Sequence, residues 1–274
     1  MSGTLYLVPT PIGDPRDITL RALEVLRVVA VVAAEDTRHY LTLARHHDLP
    51  RRAVSYHDHN EAQRSPQLIE RLRAGDDVAL VTDAGTPLIS DPGITLVRAA
   101  LAEGLAVTAL PGASAVTTAL AASGLAPLPF RFVGFPPRTA ARRRSFFAAL
   151  ADDPATIVAF EAPHRLRAAL ADARASLGDR DACVARSMTK PHERFERGRL
   201  SELEALLAEE GTVRGEATVV IAGSEAPAEL PDARQDAALL AASGASVRTT
   251  AEFLVRRHAL PKRRAYELAS ETHR

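Results

Sequence analysis

The stretch Val78-Ala79-Leu80-Val81 followed by Thr82-Asp83-Ala84-Gly85-Thr86-Pro87-Leu88-Ile89-Ser90-Asp91-Pro92-Gly93 constrains the fold more than any other. Four apolar residues in a row read as a buried strand. The chemistry then changes at once. Asp83, Gly85, Thr86, Ser90, Asp91 and Gly93 crowd into one short segment, with Pro87 and Pro92 between them. Gly and Pro at this density force a sharp, rigid loop, and a helical pattern starts at Ile94. Open α/β sheets bind ligands at polar loops that follow buried strands. The alternative is a tight turn capped by two aspartates.

The same grammar repeats along the chain. Leu5–Val8 reads as a strand, followed by the rigid loop Pro9-Thr10-Pro11-Ile12-Gly13-Asp14-Pro15. Asp17 is placed to cap a helix with Leu20, Leu23 and Leu26 inward. Val28–Ala34 reads as a second buried strand ending in Glu35-Asp36-Thr37-Arg38. Those four residues fit either an N-cap by Asp36 or Thr37, or two carboxylates and an arginine facing a cleft. Ala53–Tyr56 is a further strand, leading into His57-Asp58-His59-Asn60-Glu61. The two histidines lack a third ligand at matching spacing, so a substrate-contacting polar loop is expected there rather than a metal site. After the strand Leu105–Leu110, Pro111-Gly112-Ala113-Ser114-Ala115 opens a helix through Ser123. Ser114 is an N-cap or a ligand contact at a helix N-terminus. Regular strand–helix alternation predicts a mostly parallel sheet covered by helices.

The pattern restarts near Pro111. Phe130–Phe135 precedes Pro136-Pro137-Arg138, and Arg142, Arg143 and Arg144 follow at a helix start. Five arginines and no acid between residues 131 and 144 make a candidate phosphate contact, against a merely solubilising loop. Strands are expected at Ala155–Phe160, Ala182–Ala185, Arg194–Leu200 and Gly215–Ile221, with Ser201 capping a helix. Residues 227–232 read as a linker. Beyond it, Ser246 caps a helix over Val247–His258 with Phe253 and Leu254 inward. Pro261 starts another over Lys262–Ser270, a pair that resembles a helix-turn-helix. The tail from Pro231 carries eight Lys and Arg against five Asp and Glu, a net of +3. It is either a basic contact surface or a helical cap on the main body. The expected organisation is an α/β domain over 1–111, a second over 112–226, an interdomain cleft, and a small helical domain over 231–274.

Composition narrows the function classes. At 274 residues with 46 % hydrophobic and 25 % charged residues, the chain has the make-up of a soluble globular protein. No run approaches the roughly 20 apolar residues of a membrane span. The first five residues lack a basic, then apolar, leader pattern, so a cytoplasmic protein is expected. One cysteine, Cys183, excludes an internal disulfide and is expected in the core. The formal net charge is zero, so any nucleic-acid contact needs local patches. Only Lys190 and Lys262 are lysines among 34 basic residues. Gly-x-Gly-x-x-Gly, the phosphate-binding Gly-x-x-x-x-Gly-Lys, His-Glu-x-x-His and Cys-x-x-Cys are all missing. NAD dehydrogenases, P-loop NTPases and zinc hydrolases are thereby disfavoured. Polar loops at 9–15, 35–38, 83–93, 111–115 and 161–165 are expected to meet at one cleft.

Several of these segments carry a resemblance. Leu7-Val8-Pro9-Thr10-Pro11-Ile12-Gly13, Ala33-Ala34-Glu35-Asp36-Thr37-Arg38 and His57-Asp58-His59-Asn60 form the first group. Asp83-Ala84-Gly85-Thr86-Pro87 with Ser90-Asp91-Pro92-Gly93, Leu110-Pro111-Gly112 and Thr189-Lys190 complete it. In this order they are similar to the bacterial 16S ribosomal RNA cytidine 2′-O-ribose methyltransferases of the tetrapyrrole-methylase superfamily. The resemblance covers nearly the whole chain. It implies S-adenosylmethionine as methyl donor, two α/β domains with the donor in their cleft, a homodimer, and 16S rRNA of the small ribosomal subunit as partner. By the same resemblance Pro9, Asp83, Gly85, Thr86 and Ile89, with Ser114, Ala115, Phe160, Ala217 and Thr218, contact the donor. Asp36 or Glu35 acts as base or orients the hydroxyl, Lys190 offsets the developing charge or acts as base, and no metal takes part. Arg38, His57, Asn60, Arg138, Arg142, Arg143, Arg144, Lys262 and Arg263 contact RNA. Three departures stand out. Ala113 replaces the second proline of Pro-Gly-Pro, Phe160 replaces a tyrosine, and Ser187 replaces the glutamate of Arg-Glu-Leu-Thr-Lys. Two rival readings are a corrin or porphyrin methylase and a nucleic-acid-binding regulator built on the C-terminal helices.

Overall fold

In this computed structural model, which describes residues 2–211, 215–224 and 231–273, the first half alternates strand and helix. The order is β1 (Thr4–Leu7), α1 (Leu20–Val28), β2 (Val31–Ala34), α2 (Thr37–His46), β3 (Ala53–Ser55), α3 (Glu61–Arg73), β4 (Val78–Val81), α4 (Ile94–Ala102) and β5 (Ala106–Ala109). The strands form one sheet in the order β3-β2-β4-β1-β5, and each neighbouring pair is parallel. A parallel sheet needs cover on both faces, which is why β4 is an unbroken apolar run. All four of its residues are buried. Ala79 and Val81 point into the cluster with Ala22, Leu26, Tyr40 and Ala44 of α1 and α2. Val78 and Leu80 point the other way, onto Leu68, Leu72, Leu96 and Ala100 of α3 and α4. Because the strands run the same way, the loops after them emerge at one edge.

The second half contains α5 (Ala115–Ser123), β6 (Phe130–Phe132), α6 (Ala140–Ala148), β7 (Thr156–Glu161), α7 (Pro163–Leu177), β8 (Asp181–Arg186), β9 (Arg194–Arg199), α8 (Leu200–Glu210) and β10 (Ala217–Ile221). Its sheet has the order β6-β7-β10-β8-β9. Only β6 and β7 are parallel; the other pairs are antiparallel. Helices α6, α7 and α8 cover one face through Phe147, Leu166, Leu170, Leu203 and Leu207. Val116, Ala119 and Leu120 of α5 cover the other. Ile12, from the loop after β1, packs into that second cluster beside Met188, so the two sheets share apolar contacts. Cys183 is buried there as the apolar run around it suggested. Helices α9 (Pro231–Ala242), α10 (Val247–His258) and α11 (Lys262–Thr272) form their own small core around Ala237, Ala251, Leu254, Leu260 and Leu268. The α10–α11 turn passes through Ala259 in the left-handed region, as a helix-turn-helix-like pair requires. Among the described residues no helix is long and apolar enough to cross a membrane.

Several local expectations fail for identifiable reasons. Thr19, not Asp17, caps α1, accepting from the Ala22 N–H, because residues 15–17 form a separate 3-10 turn. Leu20 is consequently 79 % exposed at the first turn. Val28 ends α1, so the following strand begins only at Val31. Ser201 does not cap α8; it hydrogen-bonds Asp179, while Glu202 turns back to the Arg199 N–H. Phe253 lies on the exposed side of α10 and only Leu254 is fully inward. Of the expected linker, residues 227–230 lie outside the described residues, and Pro231 already begins α9.

The arginine run of α6 divides in two. Arg143 is buried, with Nη2 2.6 Å and Nε 2.9 Å from Asp172 Oδ2 on α7. Arg144 donates to the other oxygen of Asp172 at 3.0 Å, and Arg131 pairs with Asp153. The expectation that Arg143 contacts RNA is therefore corrected: its guanidinium holds α6 to α7. Arg138 and Arg142 remain exposed. Breaking a buried pair strands a charge, so Arg143→Ala should cost about 3–5 kcal/mol of stability. The exposed Arg142→Ala should stay within about 0.5 kcal/mol of wild type. Urea unfolding of the two variants measures the contrast.

Candidate functional site

Two loops at the ends of the central strands are stapled together. Thr10 N–H donates to Gly85 O, and Gly85 N–H returns a bond to Thr10 O, both at 2.9 Å. Gly85 can do this because its φ of 84° costs a residue without Cβ little. Thr86 Oγ1 donates to Ala113 O at 3.0 Å, drawing in the loop after β5. Asp36 N–H donates to Asp83 Oδ1 at 3.1 Å, and Asp83 N–H to Glu35 Oε2 at 3.4 Å, drawing in the loop after β2. Leu88 and Ser90 lie at φ of 71° and 72°, conformations that persist in non-glycine residues only where their surroundings over-determine them. From the other sheet, the loop after β8 closes against Gly13. A Cβ there would stand 2.5 Å from Met188 O and Thr189 Oγ1, and 2.8 Å from Lys190 Cγ. Asp14 N–H donates to Thr189 Oγ1 across the same seam, at 2.8 Å. Arg186, buried and forked onto Glu196 and Glu210, anchors the start of that loop.

These loops enclose a cavity of about 400 Å³. Glu35, Asp83, Gly85, Thr86, Ile89 and Asp91 line it from the first sheet's loops. Ser114 and Ala115 from the start of α5, Phe135, Phe160, Glu161, Met188, and Glu216 to Thr218 line the rest. Nine of the ten residues expected to contact a donor are on that surface. The tenth, Pro9, is not: its ring backs the Pro111-Gly112 turn, where a Gly112 Cβ would meet it at 2.6 Å. Ser114 occupies the N-cap position of α5 without engaging its side chain in the cap, which leaves the hydroxyl for a ligand. A free helix N-terminus, apolar side chains and carboxylates fit an amino-acid carboxylate, a nucleoside and a sulfonium respectively.

The carboxylates differ sharply in their electrostatics. Burial, reinforced by Asp83, holds the Glu35 carboxyl above the usual glutamate range. Burial, with Glu35 and Asp83 nearby, pushes Asp91 up to about 7. Burial also raises Glu161, whose oxygens accept from the Ala162 N–H and from Arg165. Asp36 goes the other way. Its hydrogen bonds from the Arg38 guanidinium and N–H lower it to about 2.

The sequence left Asp36 and Glu35 as equivalent candidates, and the fold separates them. Asp36 caps α2 and pairs with the exposed Arg38 outside the cavity, while Glu35 faces inside. Lys190 Nζ sits 2.9 Å from Glu216, one residue removed from the lining. Asn60 directs its amide inward, accepting from His57 N–H and donating to Ser55 O, while His57 Nδ1 is buried without a partner. Asn60 is half-buried, and these hydrogen bonds tie its side chain to the turn. Lys262 and Arg263 lie exposed at the start of α11, Arg263 paired with Glu267. Among the described residues no group of His, Cys, Asp and Glu is arranged to hold a metal. Phe135 and Met188 were not expected at the site, and Asp91 and Glu161 were not singled out within their loops. Asp91 and Glu161 lie in polar loops the sequence marks, but their inward aim depends on turns that sequence does not fix.

Asp91 binds its proton more tightly folded than unfolded, where the usual aspartate value near 3.8 applies. Stability is therefore fullest below about pH 4 from this group and falls as pH rises through about 7. Asp91→Asn should remove that fall, raising the midpoint of thermal unfolding at pH 8 by about 2 °C after allowance for solvent screening. It should change nothing at pH 4; calorimetric scans at both values check this.

A family model described as Tetrapyrrole (Corrin/Porphyrin) Methylases matches residues 4–204. The chain is 54 % identical over 274 aligned positions to a ribosomal RNA small subunit methyltransferase I of Micromonospora olivasterospora, covering 97 % of this chain and 86 % of that one. It is 47 % identical over 228 positions to the protein of the same name from Pseudomonas aeruginosa, covering 82 % and 81 %. Among solved structures, uroporphyrin-III C-methyl transferase from Thermus thermophilus, complexed with S-adenyl homocysteine, superposes with a TM-score of 0.57 at 25 % identity, covering 80 % of this chain and 97 % of that one. A conserved hypothetical protein from Aeropyrum pernix shares the fold over 99 % of this chain and 96 % of its own, with a TM-score of 0.61 at 21 % identity. Stapled loops after parallel strands, a cavity between two sheets and this match over most of the chain lead to one conclusion: the chain belongs to the tetrapyrrole (corrin/porphyrin) methylase family, alongside the ribosomal RNA small subunit methyltransferases I.

Proposed function

We propose that this methyltransferase uses S-adenosylmethionine to methylate the 2′ oxygen of a cytidine ribose in 16S ribosomal RNA, acting in the cytoplasm as a homodimer on the small ribosomal subunit. The observation that carries the reading is a cavity that unites nine expected donor residues with the Glu35 carboxylate, in a chain whose curated relatives are named for small-subunit ribosomal RNA.

The bound donor supplies a methyl carbon on a positively charged sulfur, already activated for transfer. The protein's task is alignment and removal of one proton. Ser114, Ala115, Gly85, Thr86 and the Ala217-Thr218 edge would hold the donor, and Ile89, Phe160 and Met188 would give it an apolar wall. Glu35 would take the proton of the ribose hydroxyl, the one proton that must leave when that oxygen accepts the methyl group. Its raised affinity for protons suits a base better than Asp36. Lys190, fixed by Glu216 at the rim, offsets charge developing on the oxygen. Arg138 and Arg142 contact phosphates, with Arg38, Lys262 and Arg263 as further cations around the same substrate.

Incubation of the protein with labelled S-adenosylmethionine and small subunits lacking the modification, followed by digestion to nucleosides, tests the whole reading. Labelled 2′-O-methylcytidine is expected. Donor binding without transfer would move the acceptor to a small molecule such as a corrin or porphyrin precursor. Glu35→Gln should lower kcat by about 10²- to 10⁴-fold with donor affinity retained, whereas Asp36→Asn, which keeps an N-cap acceptor and loses only the ion pair with the exposed Arg38, should cost under about tenfold. In wild type, kcat should rise with pH as the Glu35 carboxyl deprotonates, above the ordinary glutamate range. The rise should vanish in Glu35→Gln. Arg138→Ala and Arg142→Ala should raise KM for subunits and each reduce the salt slope by about 1. Light scattering measures the dimer.

A further inference from the structure

Carboxylates line the cavity from both sheets: Glu35, Asp83 and Asp91 from the first sheet's loops, Glu161 and Glu216 from the second. The loop between β6 and α6 adds Phe135 to the lining, then the exposed Arg138, and the exposed Arg142 follows in the first turn of α6. A polyanion is repelled by the carboxylates and attracted by these two cations. Phe135 directly precedes the arginine-bearing segment and is the member of it that reaches the cavity. Its side chain is 56 % exposed although it lines the cavity. Its ring centroid lies 5.5 Å from that of Phe160, which packs edge-on to Phe132 at 4.8 Å.

The loop that carries this ring is firmly anchored. Gly134 O accepts from Phe160 N–H at 2.9 Å. Arg165 Nη2 donates to Pro136 O at 2.7 Å and to Pro137 O at 3.2 Å. Arg143 Nη1 donates to Pro137 O at 3.4 Å and to Arg138 O at 3.2 Å. Two arginines turned inward thus fix the peptide that presents an apolar ring outward. A ring held in place beforehand loses little freedom when something settles on it.

We propose that Phe135 is the stacking platform for the base of the nucleotide being methylated, with Arg138 and Arg142 on its flanking phosphates. The proposal rests on the RNA reading above. Glu35 lines a cavity of about 400 Å³ that cannot admit a paired helix, so a ribose hydroxyl brought to it arrives with its nucleotide drawn out of the RNA stack. The base then loses its stacking neighbours, and an exposed aromatic face replaces them. Phenylalanine offers no hydrogen bond, so this contact adds affinity and places the ribose but does not identify the base.

The test uses the intact protein, labelled S-adenosylmethionine and small subunits lacking the modification. Wild type is assayed first: failure to transfer would overturn the RNA reading, and the stacking proposal with it. With wild type active, Phe135→Ala should raise KM for subunits by about ten- to a hundredfold. Its kcat and its calorimetric Kd for the donor should stay within about twofold of wild type, the pattern of lost uniform binding. Phe135→Tyr should restore KM and Phe135→Leu should not, because leucine keeps the apolar volume without the π face. An unchanged KM in Phe135→Ala would overturn the proposal, as would a leucine variant equal to wild type. A donor Kd weakened about tenfold with KM for subunits unaltered would assign the ring to the donor instead. Should the alanine variant unfold, the tyrosine–leucine contrast decides alone.

Discussion

The reciprocal pair of hydrogen bonds between Thr10 and Gly85 is the constraint on which the site depends. It joins the loops after β1 and β4, which are neighbours at the middle of the parallel sheet. With those loops fixed, Ile12 projects into the second sheet's core and Gly13 meets Met188 O and the Thr189 and Lys190 side chains with no room for a Cβ. Thr86 reaches Ala113 from the same staple, and Asp83 reaches both Glu35 and the Asp36 N–H. The cavity is therefore walled by loops whose backbone positions determine one another. Such over-determination is what allows Leu88, Ser90, Ser187 and Thr189 to sit at positive φ.

Charge is distributed across that frame by burial as much as by residue type. Three acids converge on the first-sheet side, and crowding in a low-dielectric pocket raises Glu35 and Asp91. Asp36, adjacent in sequence to Glu35, lies outside the cavity paired with Arg38, and its carboxyl falls. The strand stops at Ala34, and the turn after it sends Glu35 into the cavity and leaves Asp36 to cap a helix. The arginines behave in the same way. Arg142 faces solvent while Arg143 is sealed against Asp172, because neighbouring residues on a helix point about 100° apart.

Much of this was legible beforehand. The apolar runs at Val78–Val81 and Ala155–Phe160 read as buried strands, and the Gly- and Pro-dense loops after the first-half strands read as rigid. Nine of the ten residues that the resemblance implies as donor contacts border one cavity. Pro9 packs behind that lining, against Gly112. Phe135 was overlooked because an aromatic at a strand's end ordinarily reads as core. The α1 cap moved to Thr19 because two competing Asx and Thr caps lay within three residues, and only the 3-10 turn chooses between them.

The sequence by itself determined the family, the strand–helix order and which loops are polar, since these follow from local periodicity, turn chemistry and motifs in contiguous stretches. Tertiary structure alone decided which of two adjacent carboxylates faces the cavity, which arginine of three is buried, and which aromatic stands at the rim. Those outcomes depend on partners far along the chain, Asp83 for Glu35, Asp172 for Arg143 and Phe160 for Phe135. No local pattern encodes the approach of such partners; only packing two sheets around shared apolar contacts brings them within reach.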